Sequence, residues 1–333
     1  MGSSFSKVTT SQPDVPKDWD ATHIPSQKNK IAIVTGGNSG IGFIVALELA
    51  RKGADVILAC RNRERGLKAE ADIQELIRSA PEPGTVKFVL VDMGDLSSVD
   101  RFCETFKKMH PRLDLLINNA GIFGGKYTKT VDGYELQFAT NYLGHFALTA
   151  HLFDQLKMSP SSRVIAVSSI IHRYANLFFD EDNIIANNEK EYGQMAAYSV
   201  SKLCNILFTF ELDRRLKAAG IDNITAAAAH PGYSSTNIMQ HALETNQDSW
   251  KWWVFIRTVS LAPQQSSETG GLSILYAATG DNVQGGDFFG PKYLGYYGFP
   301  SREDTSALSK SETEALKLWD FSENLTQIKF ELK

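Results

Sequence analysis

Short apolar runs alternate with amphipathic stretches along most of the chain, and their spacing predicts strands and helices in turn. The runs at 31–34 (Ile31, Ile33 and Val34), 56–59, 86–91, 113–117, 163–167 and 224–229 are short and apolar, as expected of parallel strands covered on both faces. Helical periodicity fills the intervals at 41–52, 69–77, from about Leu96, 136–158 and through MAAYSVSKLCNILFTFELDRRL. Breakers fall where these helices should stop: Gly53 as a C′ residue, Pro81-Glu82-Pro83-Gly84, and Ser159-Pro160. Residues 267–278 read as a later helix and 285–290 as a last strand. The tail carries S-E-T-E at 311–314, a capping-box pattern, ahead of Leu316, Trp319 and Leu325, which should dock it on the body. Strands alternating with helices predict an α/β fold, a doubly wound parallel sheet of Rossmann type, in a single domain over 29–333. Residues 1–28 are polar and proline-broken and read as a flexible N-terminal arm.

Bulk composition narrows the function classes. At 333 residues and 43% hydrophobic content, one compact domain with extensions accounts for the whole chain. A net charge of −4 without a long basic run argues against nucleic acid as a partner. Cys60, Cys103 and Cys204 are odd in number and widely spaced, which suits a reduced compartment; Cys60 and Cys204 sit in apolar surroundings and read as core residues. No metal-ligand cluster emerges among the seven histidines. No stretch has the uninterrupted apolar length of a spanning helix, and no secretory core opens the chain, so a soluble cytoplasmic protein is expected. The sequons at Asn223 and Asn324 would then stay unmodified. MGSSFS fits M-G-x-x-x-[ST], making Gly2 a candidate for N-myristoylation, with a disordered polar start as the plainer alternative. A single acyl chain would give only weak, reversible contact at a membrane periphery.

Candidate chemistry begins after the first strand. Thr35 leads into a turn of Gly36, Asn38, Ser39, Gly40, Ile41 and Gly42, where the chain must bend sharply and let a ligand approach. The helix behind it aims free N–H groups and its positive dipole end at the turn, so a pyrophosphate is the natural occupant. At the end of the second strand Cys60 stands where an acid would bind a ribose 2′-hydroxyl, and Arg61 offers a planar fork to a 2′-phosphate. NADP(H) is therefore favoured, with NAD(H) the alternative. Tyr198 and Lys202 lie four residues apart on one helix face, downstream of a strand ending in Ser168-Ser169. A phenol near its ordinary pKa of about 10 seldom ionises at neutral pH, and a neighbouring ammonium would lower that value. Ser169 can hydrogen-bond a substrate oxygen and stabilise charge as it develops.

The turn spacing T-G-x-x-x-G-x-G, N-N-A-G at 118–121, the strand-end serine pair and YSVSK together resemble the short-chain dehydrogenase/reductase family. ILACRN, NYLGHF, SKLCNILF, ELDRRL and HPGY place the resemblance in its retinol-dehydrogenase-like branch, similar also to the oxidoreductase domain of the WW-domain oxidoreductase. The resemblance covers about residues 28–330. It implies a catalytic set of Asn141, Ser169, Tyr198 and Lys202: Tyr198 as acid or base, Lys202 on the nicotinamide ribose, and Asn141 holding a water in the proton path. Ser169 is preferred to Ser168 because the family's serine is the second of the pair. Asp92 and Met93 would meet the adenine, and Asp92 is also read as a cap for the next helix, two roles that are compatible. Asn119, Ala120 and Gly121 would pass close to the cofactor. Pro231 and Gly232 would wrap the nicotinamide, and Thr236 would contact a phosphate. His145 reads as a packing or surface histidine, and His230 as an anchor for its turn.

The resemblance also places a substrate lid at 238–262, where Trp250, Trp252, Trp253, Val254, Phe255 and Ile256 crowd together. An apolar substrate is the leading reading of that cluster; core packing, membrane contact and a homo-oligomer patch are its rivals. The long connection containing Phe178 and Phe179 would add to the substrate wall or form a surface excursion. The expected function is NADP(H)-dependent hydride transfer with a lipophilic carbonyl or alcohol, retinoid-like or another apolar aldehyde or ketone. The alternative is a cofactor-binding regulator or scaffold with little turnover.

Overall fold

A computed structural model describes residues 14–175, 189–190, 192–234 and 264–332. Eight strands form one sheet in the order β3-β2-β1-β4-β5-β6-β7-β8. In chain order they are β1 (Ile31–Thr35), β2 (Asp55–Cys60), β3 (Thr85–Leu90), β4 (Leu115–Asn118), β5 (Ser162–Val167), β6 (Ile224–Ala229), β7 (Phe288–Tyr293) and β8 (Tyr297–Arg302). The first seven pair in parallel, and β8 returns antiparallel to β7. The strand order reverses direction between β1 and β4, the topological switch point at which open sheets of this kind form a crevice at their carboxyl ends.

The apolar runs are continuous because both sheet faces are covered. In β1, Ile33 joins one core cluster while Ala32 and Val34 join the other, as the two-residue period of a strand requires. On Ile33's side lie α3 (Leu96–Met109), α5 (Gly144–His151), α7 (Gln194–Ala218) and α9 (Glu312–Thr326); on the other lie α1 (Gly40–Arg51), α2 (Arg63–Ile77) and α8 (Ser267–Thr279). The tail docks through Trp319, 1% exposed, whose ring stacks on Phe208 and lies 4.4 Å from the Arg215 guanidinium. Ser311 caps α9 by accepting from the Glu314 N–H at 3.3 Å. Among the described residues no helix is long and apolar enough to cross a membrane.

Several local expectations change. The helix expected over 136–158 is divided into α4 (Leu136–Phe138), a π-helical turn (Ala139–Leu143), α5 and α6 (Phe153–Lys157). The Gly144 N–H reaches back five residues to the Ala139 carbonyl, so one extra residue is accommodated around Asn141. The last strands run beyond the expected 285–290: β7 continues to Tyr293, and β8 had no counterpart in the reading of the sequence. The expected flexible arm is docked where it is described. Trp19 is 4% exposed and packs edge-on against Tyr276, with ring centroids 5.1 Å apart. Asp95, not Asp92, caps α3, accepting from the Ser98 N–H.

Candidate active site

The glycine turn sits at the carboxyl end of β1 and opens into a cavity of about 480 Å³. Its backbone needs two of its glycines for different reasons. Gly40 has φ +53°, and a Cβ there would meet nothing within 4 Å, so the strained conformation faces open space. At Gly42 a Cβ would come within 2.4 Å of Asn119 Nδ2 and 2.5 Å of the Gly36 oxygen, so only glycine lets α1 approach β1 and β4 this closely. Ser39 precedes α1 without a side-chain capping bond, leaving first-turn N–H groups for an anion. These features fit a pyrophosphate.

The ends of β2 and β3 form the wall of the cavity at which an adenosine is expected from the sequence. Cys60 lines the cavity and is buried, its thiol pushed up to about 12 by burial against opposing contacts from the Asn38 and Gly37 backbone. A neutral thiol thus stands where an acid is sought at the end of β2. Arg61 stands at the rim, its side chain 59% exposed and one guanidinium nitrogen 3.9 Å from Asp92 Oδ2. Asp92 Oδ1 accepts from the Gly94 N–H at 2.9 Å, and Met93 lies beside it in the cavity wall. Asn119, Ala120 and Gly121 form the floor, with the Asn119 amide donating to the Thr35 carbonyl at 2.7 Å.

Ser169, Tyr198 and Lys202 converge on the same cavity from β5 and α7, together with Pro231 and Gly232 after β6. The two serines of the strand-end pair separate. Ser168 is 2% exposed and donates to the Lys202 carbonyl at 2.7 Å, whereas Ser169 interacts with the Tyr198 phenol. Lys202 is buried; its Nζ donates to the Val167 carbonyl at 3.0 Å, and burial lowers its pKa to about 8. Asn141 is fully buried within the π turn. Its amide donates to the Ile122 carbonyl and to Ser201 Oγ and accepts from the Ile122 N–H.

One expectation is reversed. Tyr198 is not acidified by Lys202: burial pushes the phenol up to about 12, with the Ser169 contact only partly opposing it. The ammonium lies 5.7 Å from the phenol ring's centre while Nζ bonds the Val167 carbonyl, so desolvation prevails. Thr236, the 238–262 tryptophan cluster, Phe178, Phe179 and Gly2 lie outside the described residues.

The cleft also contains residues that sequence reasoning missed. Phe123 packs its ring 4.8 Å from that of Tyr198, and Met195, Ile170, Ile171 and Tyr174 add apolar wall. Met195 lies one turn before Tyr198 on the same helix face, a signal the sequence does carry. Ile170 and Ile171 directly follow the serine. Among the described residues no group of three or more histidines, cysteines or acids could hold a metal ion.

The family model for short chain dehydrogenases matches residues 30–179. Human retinol dehydrogenase 14 is 39% identical over 307 residues, covering 88% of this chain and 85% of that protein. The chain belongs to the short-chain dehydrogenase/reductase family. The chicken WW domain-containing oxidoreductase is 38% identical over 304 residues, covering 89% of this chain and 68% of its own. A crystal structure of an uncharacterised protein from Mycobacterium paratuberculosis has a TM-score of 0.74 at 38% identity, covering 94% of this chain and 99% of that one. The chain is thus an oxidoreductase of this family, related to retinol dehydrogenases.

Proposed function

We propose that this protein is an NADP(H)-dependent oxidoreductase acting on a lipophilic carbonyl or alcohol, with Tyr198 as the proton-transferring group. The observation that carries this reading is the convergence of Ser169, Tyr198 and Lys202 on the cavity that begins at the glycine turn. A bound nicotinamide supplies or accepts the hydride. Ser169 donates a hydrogen bond to the substrate oxygen and orients it toward the phenol. Held neutral by burial, Tyr198 keeps its proton at physiological pH, the state required to protonate an alkoxide during carbonyl reduction. Lys202 has three donors, one of them spent on Val167, leaving two for ribose hydroxyls. Asn141 fastens the Ile122 backbone to the catalytic helix at Ser201, its amide hydrogens both spent on protein partners rather than on a water.

Cys60 and Arg61 favour the 2′-phosphorylated cofactor, since no acid stands at the end of β2 and a guanidinium does. Phe123, Met195, Ile170 and Ile171 around the phenol favour an apolar substrate, in keeping with kinship to retinol dehydrogenases. Purified protein should oxidise NADPH in the presence of aromatic and long-chain aldehydes. In the same assay Arg61→Ala should raise KM for NADPH roughly tenfold and leave that for NADH unchanged, about 1.4 kcal/mol of lost binding. An unchanged NADPH-to-NADH ratio would refute the role of Arg61. Cofactor binding without turnover on a broad panel would favour the regulator instead.

A further inference from the structure

Behind the cleft floor, a buried hydrogen-bond network runs through His145. The ring is 2% exposed, with Nε2 2.9 Å from Thr35 Oγ1 and Nδ1 3.1 Å from the Asn141 main-chain oxygen. Thr35 Oγ1 accepts from the N–H groups of Asn119 and Ala120, each at 2.8 Å, which fills both lone pairs. Its one hydrogen then goes to the nearer remaining partner, His145 Nε2 at 2.9 Å rather than the Ile117 carbonyl at 3.3 Å. With Nε2 as acceptor, the hydrogen of a neutral ring sits on Nδ1 and is donated to the Asn141 carbonyl. The other tautomer would press a nitrogen lone pair against that carbonyl and demand a third acceptor site from Thr35. Burial keeps the ring neutral, lowering its pKa to about 4, with the Lys202 charge adding to the effect and the Asn141 bond opposing it.

The network continues in both directions. The His145 carbonyl accepts from Thr149 Oγ1 at 2.7 Å, and that oxygen accepts from the Asn118 amide at 3.1 Å. On the other side the Asn141 amide donates to Ser201 Oγ at 2.9 Å, and Ser201 donates to the Tyr198 carbonyl at 2.8 Å. We infer that His145 is a positioning residue: its Nδ1–H tautomer clamps the π turn at Asn141 to Thr35 and the N-N-A-G floor, and so fixes the backbone that carries Tyr198. The kinetic part of this inference rests on Tyr198 being the proton donor; the tautomer does not.

Two measurements test it. Nitrogen-15 NMR of ring-labelled protein, with His145 assigned by its loss in His145→Asn, should show Nδ1 protonated, Nε2 bare and no titration between about pH 5 and 8. In single-turnover reduction, His145→Leu should lower the rate roughly tenfold to a hundredfold, with NADPH Kd changed by no more than about threefold. His145→Asn, which returns an amide donor near the Nδ1 position, should recover most of the rate; His145→Gln, whose amide lies near Nε2, should not. A ring protonated at Nε2, a ring that titrates, or equal losses in the Asn and Gln variants would each overturn the inference. If His145→Leu does not fold, the Asn and Gln contrast and the NMR tautomer still decide it. A wild-type protein without turnover would defeat the proposed reaction, and the NMR result would still decide the clamp.

Discussion

At the scale of single residues, the site is governed by burial more than by charge pairing. Tyr198 and Lys202 are displaced in opposite directions, to about 12 and about 8, because each is deprived of water in its charged form. Lys202 keeps its charge below about pH 8 and loses it above, and in the proposed reaction that charge holds the nicotinamide ribose. Carbonyl reduction should therefore hold level up to about pH 8 and decline above it, and a pH profile of kcat/KM checks this. A reduction rate that climbs steadily from pH 7 to about 10 would contradict it. Sequence spacing alone brought the phenol and ammonium onto one helix face. It could not show that Nζ is held by the Val167 carbonyl, because that contact depends on how β5 and α7 pack.

At the scale of elements, the nucleotide turn was legible because its glycines are required by local backbone geometry. Gly40→Ala should fold, at a cost of about 1–2 kcal/mol for the left-handed conformation, and lose cofactor affinity as its methyl enters the open cleft. Gly42→Ala should destabilise the protein more, since its methyl meets Asn119 and the Gly36 carbonyl. Urea unfolding and NADPH titration of the pair separate the two effects; equal stability loss would contradict the assignment. The π turn was not legible. LQFATNYLGHFALTAH has continuous helical periodicity, and the extra residue is selected by the buried bonds of Asn141 and His145, which join it to distant parts of the chain. Strand β8 was missed for a related reason. Tyr297–Arg302 mixes aromatics, glycine and proline without clean alternation and gains its structure by pairing with β7 at the sheet edge.

At the scale of the whole molecule, the doubly wound parallel sheet followed from repeated strand and helix units, whereas the switch point between β1 and β4 emerges only from the strand order of the structure. The start of the domain did not follow from the sequence either. Residues before Lys28 read as a polar arm, yet Trp19 and Ile24 are buried against the α1, α2 and α8 face of the sheet. An isolated tryptophan in a polar stretch carries no periodicity by which to place it. Trp19→Ala should cost roughly 3 kcal/mol in urea unfolding; a loss under about 0.5 kcal/mol would mean the segment contributes nothing to the fold.

In the proposed reaction the neutral phenol of Tyr198 delivers the proton in a cleft shaped by Ser169, Lys202 and the glycine turn. The most direct test is single-turnover reduction of an apolar aldehyde by Tyr198→Phe with NADPH. The variant should bind NADPH within about threefold of wild type and lose at least about a thousandfold in rate, since the phenolic proton is no longer placed at the substrate oxygen. Full binding with an undiminished rate would contradict the claim.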